Sequence, residues 1–350
     1  MPLLARMLAA PLVIEVSAGA ISGLGALLAD RRIATAGRVA VAVGPGQGAS
    51  IAAELDLDAA ELFGVPDGGH ETATELGRRL RAGAYEAVAG IGGGKTIDVT
   101  KFAAHMAGIP MVCVATSLAH DGIASPISTL SHESGTGSYG VAPPVAVVVD
   151  LDRVRAAPGA LATAGVGDVI SNLSAIADWE LSAADTGEPV DGLAVAMART
   201  AAHAVLYSPD PASSDEFLTV LAESLILSGM AMAVAGSSRP SSGGDHEIMH
   251  AVNQLFPGTA SHGELAGLGA LFCGFLRQDK HQFTAISACL ERHGLPREPE
   301  RVGLSADQFT SAVLHAPATR PGRYTILERL AMSPAQAARA VEDYVSAIAG

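Results

Sequence analysis

Gly90-Ile91-Gly92-Gly93-Gly94-Lys95-Thr96-Ile97-Asp98 puts three consecutive glycines between the apolar run Ala87-Val88-Ala89 and a segment with helical spacing. Glycine lets backbone amides at a helix start approach an anionic group closely, so this turn is a candidate phosphate cradle. A lone glycine cluster serves equally well as a tight strand-to-helix turn. The spacing is not that of a P-loop, and the run follows several strand and helix candidates rather than opening the chain. A second stretch shifts the balance. There the apolar run Pro110 to Ala115 leads into Thr116-Ser117-Leu118-Ala119-His120-Asp121-Gly122-Ile123-Ala124-Ser125-Pro126. Ligands of open α/β sheets gather at the carboxyl ends of strands, which is where Thr116, Ser117, His120, Asp121 and Ser125 would stand.

Strand and helix candidates alternate around these two stretches. Val39 to Gly44, Glu61 to Val65, Ala87 to Ile91, Met111 to Ala115 and Val145 to Val149 read as strands, with Thr72 to Ala82 and Thr96 to Ala107 as helices between them. Such alternation predicts a parallel sheet covered by helices. Beyond Asp150 the chain turns alanine- and leucine-rich with helical spacing, and Pro158-Gly159 break the pattern at the join. The expectation is an α/β dinucleotide-binding domain over 1–155 and an all-α metal- and substrate-binding domain over 156–350. Gly236 to Gly244 is a small Ser/Gly/Pro-rich loop, a flexible tether by composition, just ahead of a histidine-rich stretch.

A length of 350 residues supports two cores, and a hydrophobic fraction of 49% supports a globular chain. Net charge is −14 and no block of lysine or arginine occurs, which argues against a nucleic-acid or anionic-membrane partner. An anionic substrate would need a locally positive pocket or a metal. Cys113, Cys273 and Cys289 are scattered through apolar stretches and read as core thiols of a reducing compartment, the cytoplasm. Met1 to Val16 has the arginine and apolar residues of a signal peptide, but Pro11 and Glu15 interrupt it and Val13-Ile14-Glu15-Val16 reads as a first strand. Phe217 to Ala235 carries Glu223 and Ser224 near its middle, so it reads as a buried core helix and not a membrane span.

Metal-ligand candidates cluster in the helical half: Asp168 in Gly165-Val166-Gly167-Asp168, His246 and His250 in Asp245-His246-Glu247-Ile248-Met249-His250, and His262 in Ser261-His262-Gly263-Glu264. His246 and His250 stand at i and i+4, so one helix face can aim both rings at one point. A single histidine on an apolar helix is usually a core residue, and His105 and His203 are read that way.

Together the segments resemble the sn-glycerol-1-phosphate dehydrogenases, a branch of the iron-containing alcohol dehydrogenase and dehydroquinate synthase superfamily. The family patterns are close to GGGK-x-ID and PT-x-x-SHDGIASP, with Ala115 and Ala119 here in place of proline and serine. The likeness runs from Val41-Ala42-Val43-Gly44-Pro45 through Asp178-Trp179 to Arg320-Pro321-Gly322-Arg323-Tyr324-Thr325-Ile326-Leu327-Glu328. It implies a dehydroquinate-synthase-like fold and a divalent metal held by Asp168, His246 and His262, with Asn172 where many iron-containing relatives place a further histidine. Zinc is the metal expected for this branch, and Fe²⁺ or Ni²⁺ also suit two imidazoles and a carboxylate. His250 is then a proton-relay candidate or packs beneath His246.

The resemblance further implies NAD or NADP bound by Gly92, Gly93, Gly94, Lys95, Asp98, Thr116, Ser117 and Ser125. Gly44 offers no acidic side chain against a 2′-phosphate, which leaves both cofactors open. The reaction implied is reversible reduction of dihydroxyacetone phosphate to sn-glycerol 1-phosphate, with Asp121 and His250 as candidate catalytic residues in a homo-oligomer. Basic residues expected around Ser138-Tyr139-Gly140-Val141-Ala142-Pro143-Pro144 are absent, which leaves Arg239, Arg320 and Arg323 as candidates for a phosphate contact. The alternatives are a polyol or other secondary-alcohol dehydrogenase and a dehydroquinate-synthase-like cyclase. The cyclase is disfavoured because Lys95, Lys101 and Lys280 are the only lysines.

Overall fold

The structure, a computed structural model, describes residues 10–35, 37–55, 60–133 and 135–349, so the apolar start over 1–9 lies outside the described residues. The chain divides into two compact units after Gly159.

In the first unit, β1 (Val13–Ser17), β2 (Val39–Val43), β3 (Ala60–Gly64), β4 (Ala87–Gly92) and β5 (Met111–Ala115) are strands of one sheet; β6 (Ile127–His132) and β7 (Gly135–Gly140) form a separate hairpin, and β8 (Ala146–Asp150) returns to the sheet. The sheet order is β1-β8-β5-β4-β2-β3 and every pairing in it is parallel. Helices α1 (Leu24–Leu28), α2 (Gln47–Glu54), α3 (His70–Ala82), α4 (Gly94–Ala107) and α5 (Leu151–Ala156) fill the connections. Strands β4, β5 and β8 are buried at every position, as strands covered on both faces must be, and they therefore read as apolar runs without alternation. One face packs Ile21, Leu24 and Ile51 on Val41, Ala89, Ile91, Val112, Val114 and Val148.

The order fixes the crevice. The chain leaves β2 for β3 on one side and leaves β4 for β5 on the other, so the strand order reverses between β2 and β4, where Val43 pairs with Ile91. Ligands of such sheets bind at the carboxyl ends of the strands flanking a reversal. Gly92-Gly93-Gly94 stands at that end.

The hairpin is a feature the alternation does not reveal. Its register runs from Ile127↔Gly140 to His132↔Gly135, over residues too polar and glycine-rich to carry a strand signal. It is held by contacts made elsewhere in the chain: Ser131 N donates to Gly68 O, and Tyr139 and His132 lie against His70, itself 5.3 Å from the Phe102 ring.

The second unit is helical: α6 (Gly159–Thr186), α7 (Gly192–Leu206), α8 (Asp215–Ala235), α9 (Gly244–Leu255), α10 (His262–Leu276), α11 (Lys280–Arg292), α12 (Ala306–Thr319), α13 (Ile326–Leu330) and α14 (Pro334–Ala349). By length and composition α6 and α8 could cross a membrane, yet 72% and 61% of their apolar windows are buried within the protein, which makes them core helices. The loop 236–243 is no tether. Arg239, Ser241 and Ser242 are buried, and Arg239 donates through Nε to Glu188 at 2.8 Å and through Nη1 to the Tyr324 carbonyl at 3.0 Å.

Candidate active site

Two groups of side chains stand out, one in each unit. In the helical unit Asp168 of α6, His246 of α9 and His262 of α10 each present one ligand atom, and the three atoms lie within 4.8 Å of one another. His246 Nε2 is 3.3 Å from His262 Nε2, and Asp168 Oδ1 is 3.0 Å from His262 Nε2 and 3.9 Å from His246 Nε2. Ligands at about 2.0–2.1 Å around a tetrahedral zinc stand roughly 3.3 Å apart, so these separations fit a divalent metal held by three protein donors. Asp168 and His246 are buried, whereas the His262 side chain is 37% exposed, which leaves that face accessible to water or substrate.

Local structure explains the convergence. Gly167 meets Gly263 so closely that a Cβ on either residue would strike backbone, which brings α6 within reach of the first turn of α10. Ser261 caps α10 in a reciprocal capping box with Glu264 and so sets where His262 begins the helix. Asp178, 2.6 Å from Arg277 Nη2, accepts from Gly244 N at 2.8 Å and anchors the start of α9.

Behind His246, the fully buried Asp245 accepts from Nδ1 at 2.9 Å, an arrangement that fixes the ring and turns the Nε2 lone pair toward the cluster. Sequence reasoning passed over Asp245, although its place directly before His246 was the available signal. Asn172 is not a ligand. It donates to Ala198 O at 3.3 Å and Ser228 Oγ at 3.1 Å inside the core.

His250 stands one turn beyond His246, with ring centroids 6.5 Å apart. Its Nε2 is 2.9 Å from Arg320 Nη2, and a guanidinium can only donate, so Nε2 is the acceptor. Burial, and then the Arg320 charge, push His250 down to about 2. A ring held neutral with its outer nitrogen occupied is suited to orienting its neighbours.

In the first unit α4 starts at Gly94 with Gly93 as an N-cap that has no side-chain acceptor, which leaves the first-turn amides to an outside anion. A Cβ on Gly93 would crowd Ser117 Oγ, at 3.2 Å, and one on Gly94 would strike the His120 ring, so the turn leaves no room for side chains at either glycine. Thr116 N donates to Gly92 O at 3.0 Å, which holds the Thr116-Ser117 end of β5 beside the glycines. Thr116, Ser117 and Ser125 are buried and Lys95 is exposed on the first helical turn. Asp98 is turned inward. Its carboxylate lies 3.2 Å from the buried Lys101 Nζ, which donates to Gly122 O at 2.6 Å, so the pair ties α4 to the short turn that carries Asp121. The cysteines take no part: burial pushes Cys113 up to about 12 and Cys289 to about 11.

The iron-containing alcohol dehydrogenase family matches residues 15–158. A glycerol-1-phosphate dehydrogenase of Thermofilum pendens is 42% identical over 264 residues, which is 74% of each chain. One from Staphylothermus marinus is 34% identical over 285 residues, 81% of this chain and 80% of its own. In fold, the crystal structure of a probable glycerol dehydrogenase from Sinorhizobium meliloti aligns with a TM-score of 0.78 at 20% identity, covering 98% of this chain and 99% of that one. With a three-donor cluster in its helical unit, an uncapped glycine turn in its parallel-sheet unit and relatives of this identity and coverage, the chain belongs to the glycerol-1-phosphate dehydrogenase family of the iron-containing alcohol dehydrogenases.

Proposed function

We propose that this chain catalyses the NAD(P)-dependent, metal-dependent interconversion of dihydroxyacetone phosphate and sn-glycerol 1-phosphate. The observation that carries the reading is the convergence of Asp168, His246 and His262 in a chain 42% identical over 264 residues to a glycerol-1-phosphate dehydrogenase. A bound divalent metal, taken to be zinc, supplies Lewis acidity at the substrate oxygen, and bound NADH or NADPH supplies the hydride.

The chain's own residues do the rest. Asp168 contributes the negative charge that a divalent cation calls for, and His246, steadied by Asp245, keeps its ring from swinging out of line. The amides of the glycine turn, Gly92, Gly93 and Gly94, hold the pyrophosphate, with the exposed Lys95 adding positive charge at the first turn of α4. Thr116, Ser117 and Ser125 hold the nicotinamide half. Asp121 orients the substrate hydroxyls and passes the proton, and His250 keeps Arg320 in position. The buried, unpaired cysteines suit a reducing compartment, the cytoplasm.

The test is oxidation of NADH and NADPH with dihydroxyacetone phosphate and dihydroxyacetone as rival substrates, together with elemental analysis of the purified protein. A site built for phosphate loses charge-assisted hydrogen bonds with the truncated ketone, so kcat/KM should be much higher for the phosphate ester. Equal efficiency on the two ketones would sink the assignment and leave a polyol or other secondary-alcohol dehydrogenase.

A further inference from the structure

The absence of basic residues along 138–144 leaves open how a net-acidic chain would hold a phosphorylated substrate. Arg239 is unavailable for this, because its guanidinium is committed to Glu188, to Ser182 and to the Tyr324 carbonyl. Arg320 and Arg323 are in a different situation. Both are half-buried, and both aim a guanidinium at one hydroxyl: Arg320 Nη1 and Arg323 Nη2 each lie 3.0 Å from Ser238 Oγ. Their remaining contacts are neutral. Arg320 donates to His250 and Arg323 to the Ser242 carbonyl.

Among the described residues neither arginine has a carboxylate within ion-pair distance, while nearby Asp245 is engaged by His246 and Gly243, and Glu247 by Thr325. Two like charges drawn to one serine, in a partly desolvated setting and with no carboxylate in direct contact, form a site short of negative charge. The adjoining Ser242 hydroxyl adds a second observation. It is buried, with 4% of its surface exposed, and has no hydrogen-bond partner. Arginine forks match phosphate oxygens, and a serine hydroxyl supplies a further donor.

We infer that Arg320 and Arg323, with the hydroxyls of Ser238 and Ser242, bind the phosphate group of the substrate, an inference that rests on the reading of this chain as a dehydrogenase of a phosphorylated ketone. Arg320 reaches His250 at 2.9 Å, and His250 stands one helical turn from His246 with rings 6.5 Å apart. The anion site thus adjoins the metal-ligand cluster within one unit, as suits a small substrate whose carbonyl and phosphorus are only a few bonds apart. These arginines determine specificity; they do not perform the chemistry.

The experiment uses the whole protein and two readouts. Inorganic phosphate should inhibit competitively against dihydroxyacetone phosphate and raise Tm in the parent, and both effects should disappear in Arg320→Ala and Arg323→Ala. The ratio of kcat/KM for dihydroxyacetone phosphate to that for dihydroxyacetone should fall roughly 10- to 100-fold in each variant. Arg323→Lys, which keeps the charge and loses the fork, should fall by less. Variants that keep both the ratio and the phosphate protection overturn the site while leaving the proposed activity intact. A parent that responds to phosphate through these arginines yet shows no preference between the ketones supports the anion site and overturns the activity. Should the alanine variants fail to fold, the parent and Arg323→Lys decide, and a parent indifferent to phosphate overturns the inference.

Discussion

Gly167 lays its bare α-carbon against the carbonyl oxygen of Gly263, and Gly263 in turn lies against the carbonyl of Ala164, with no room for a side-chain atom at either place. Each glycine adjoins a candidate metal ligand, Asp168 or His262, so this crossing of α6 and α10 sets the separation of two donors. Because the obstructing atoms are backbone, the structure cannot yield by a rotamer change. Gly263→Ala is expected to lower stability by about 1–3 kcal/mol, the usual range for overpacking, and to lower bound metal with it. Chemical denaturation and elemental analysis check this. Unchanged stability and full metal occupancy would show that the close crossing is dispensable.

Asp168→Asn, His246→Ala and His262→Ala should each lose metal and activity together, since a three-donor cluster has no spare ligand. Far-ultraviolet circular dichroism should show a folded chain, and NADH should still bind, because the glycine turn belongs to the other unit. A variant with full metal occupancy by elemental analysis identifies a residue that is not a ligand.

Gly93→Val should raise the cofactor KM on the order of 10-fold without removing metal, because the branched side chain would crowd Ser117 and obstruct anion approach to the uncapped start of α4. Initial rates at varied NADH measure this. An unchanged cofactor KM would move the pyrophosphate site elsewhere.

The Arg239–Glu188 pair sets an acid limit on the loop ahead of α9. Burial by itself would raise the Glu188 carboxyl, but hydrogen bonds from Arg239 and Ser182 outweigh it and hold the group below its ordinary value. A lowered carboxylate stabilises the fold above its unfolded value, near ~4.3, and that contribution is lost as pH falls through the folded value. Glu188→Gln should therefore cost about 1 kcal/mol at neutral pH, a figure kept small because Glu188 is partly exposed. The difference from the parent should vanish in strong acid. Urea titrations at both pH values test this, and a difference that persists in acid would exclude the ion pair as its source.

Much of this protein could be read in one dimension. The apolar runs of β4, β5 and β8 are the direct consequence of burial on both faces, and glycine at 92–94 is needed wherever backbone must approach an anion, so the sheet unit and its candidate cradle were visible as composition and spacing. In the helical half residue types narrowed the metal candidates to Asp168, His246, His250 and His262, and the family resemblance singled out Asp168, His246 and His262 among them.

Other features depend on contacts between residues distant in sequence, and local spacing carries no trace of them. The hairpin β6–β7 exists because Ser131 and Tyr139 meet Gly68 and His70, and its own residues have little strand propensity. The Ser/Gly/Pro-rich loop 236–243 has the composition of a tether but is buried from Arg239 onward, where Arg239 finds Glu188 51 residues away. Arg239, Arg320 and Arg323 are alike as letters. Only folding neutralises the first and leaves the other two converging on Ser238, since a charge acquires its role from the groups that end up within a few ångströms of it.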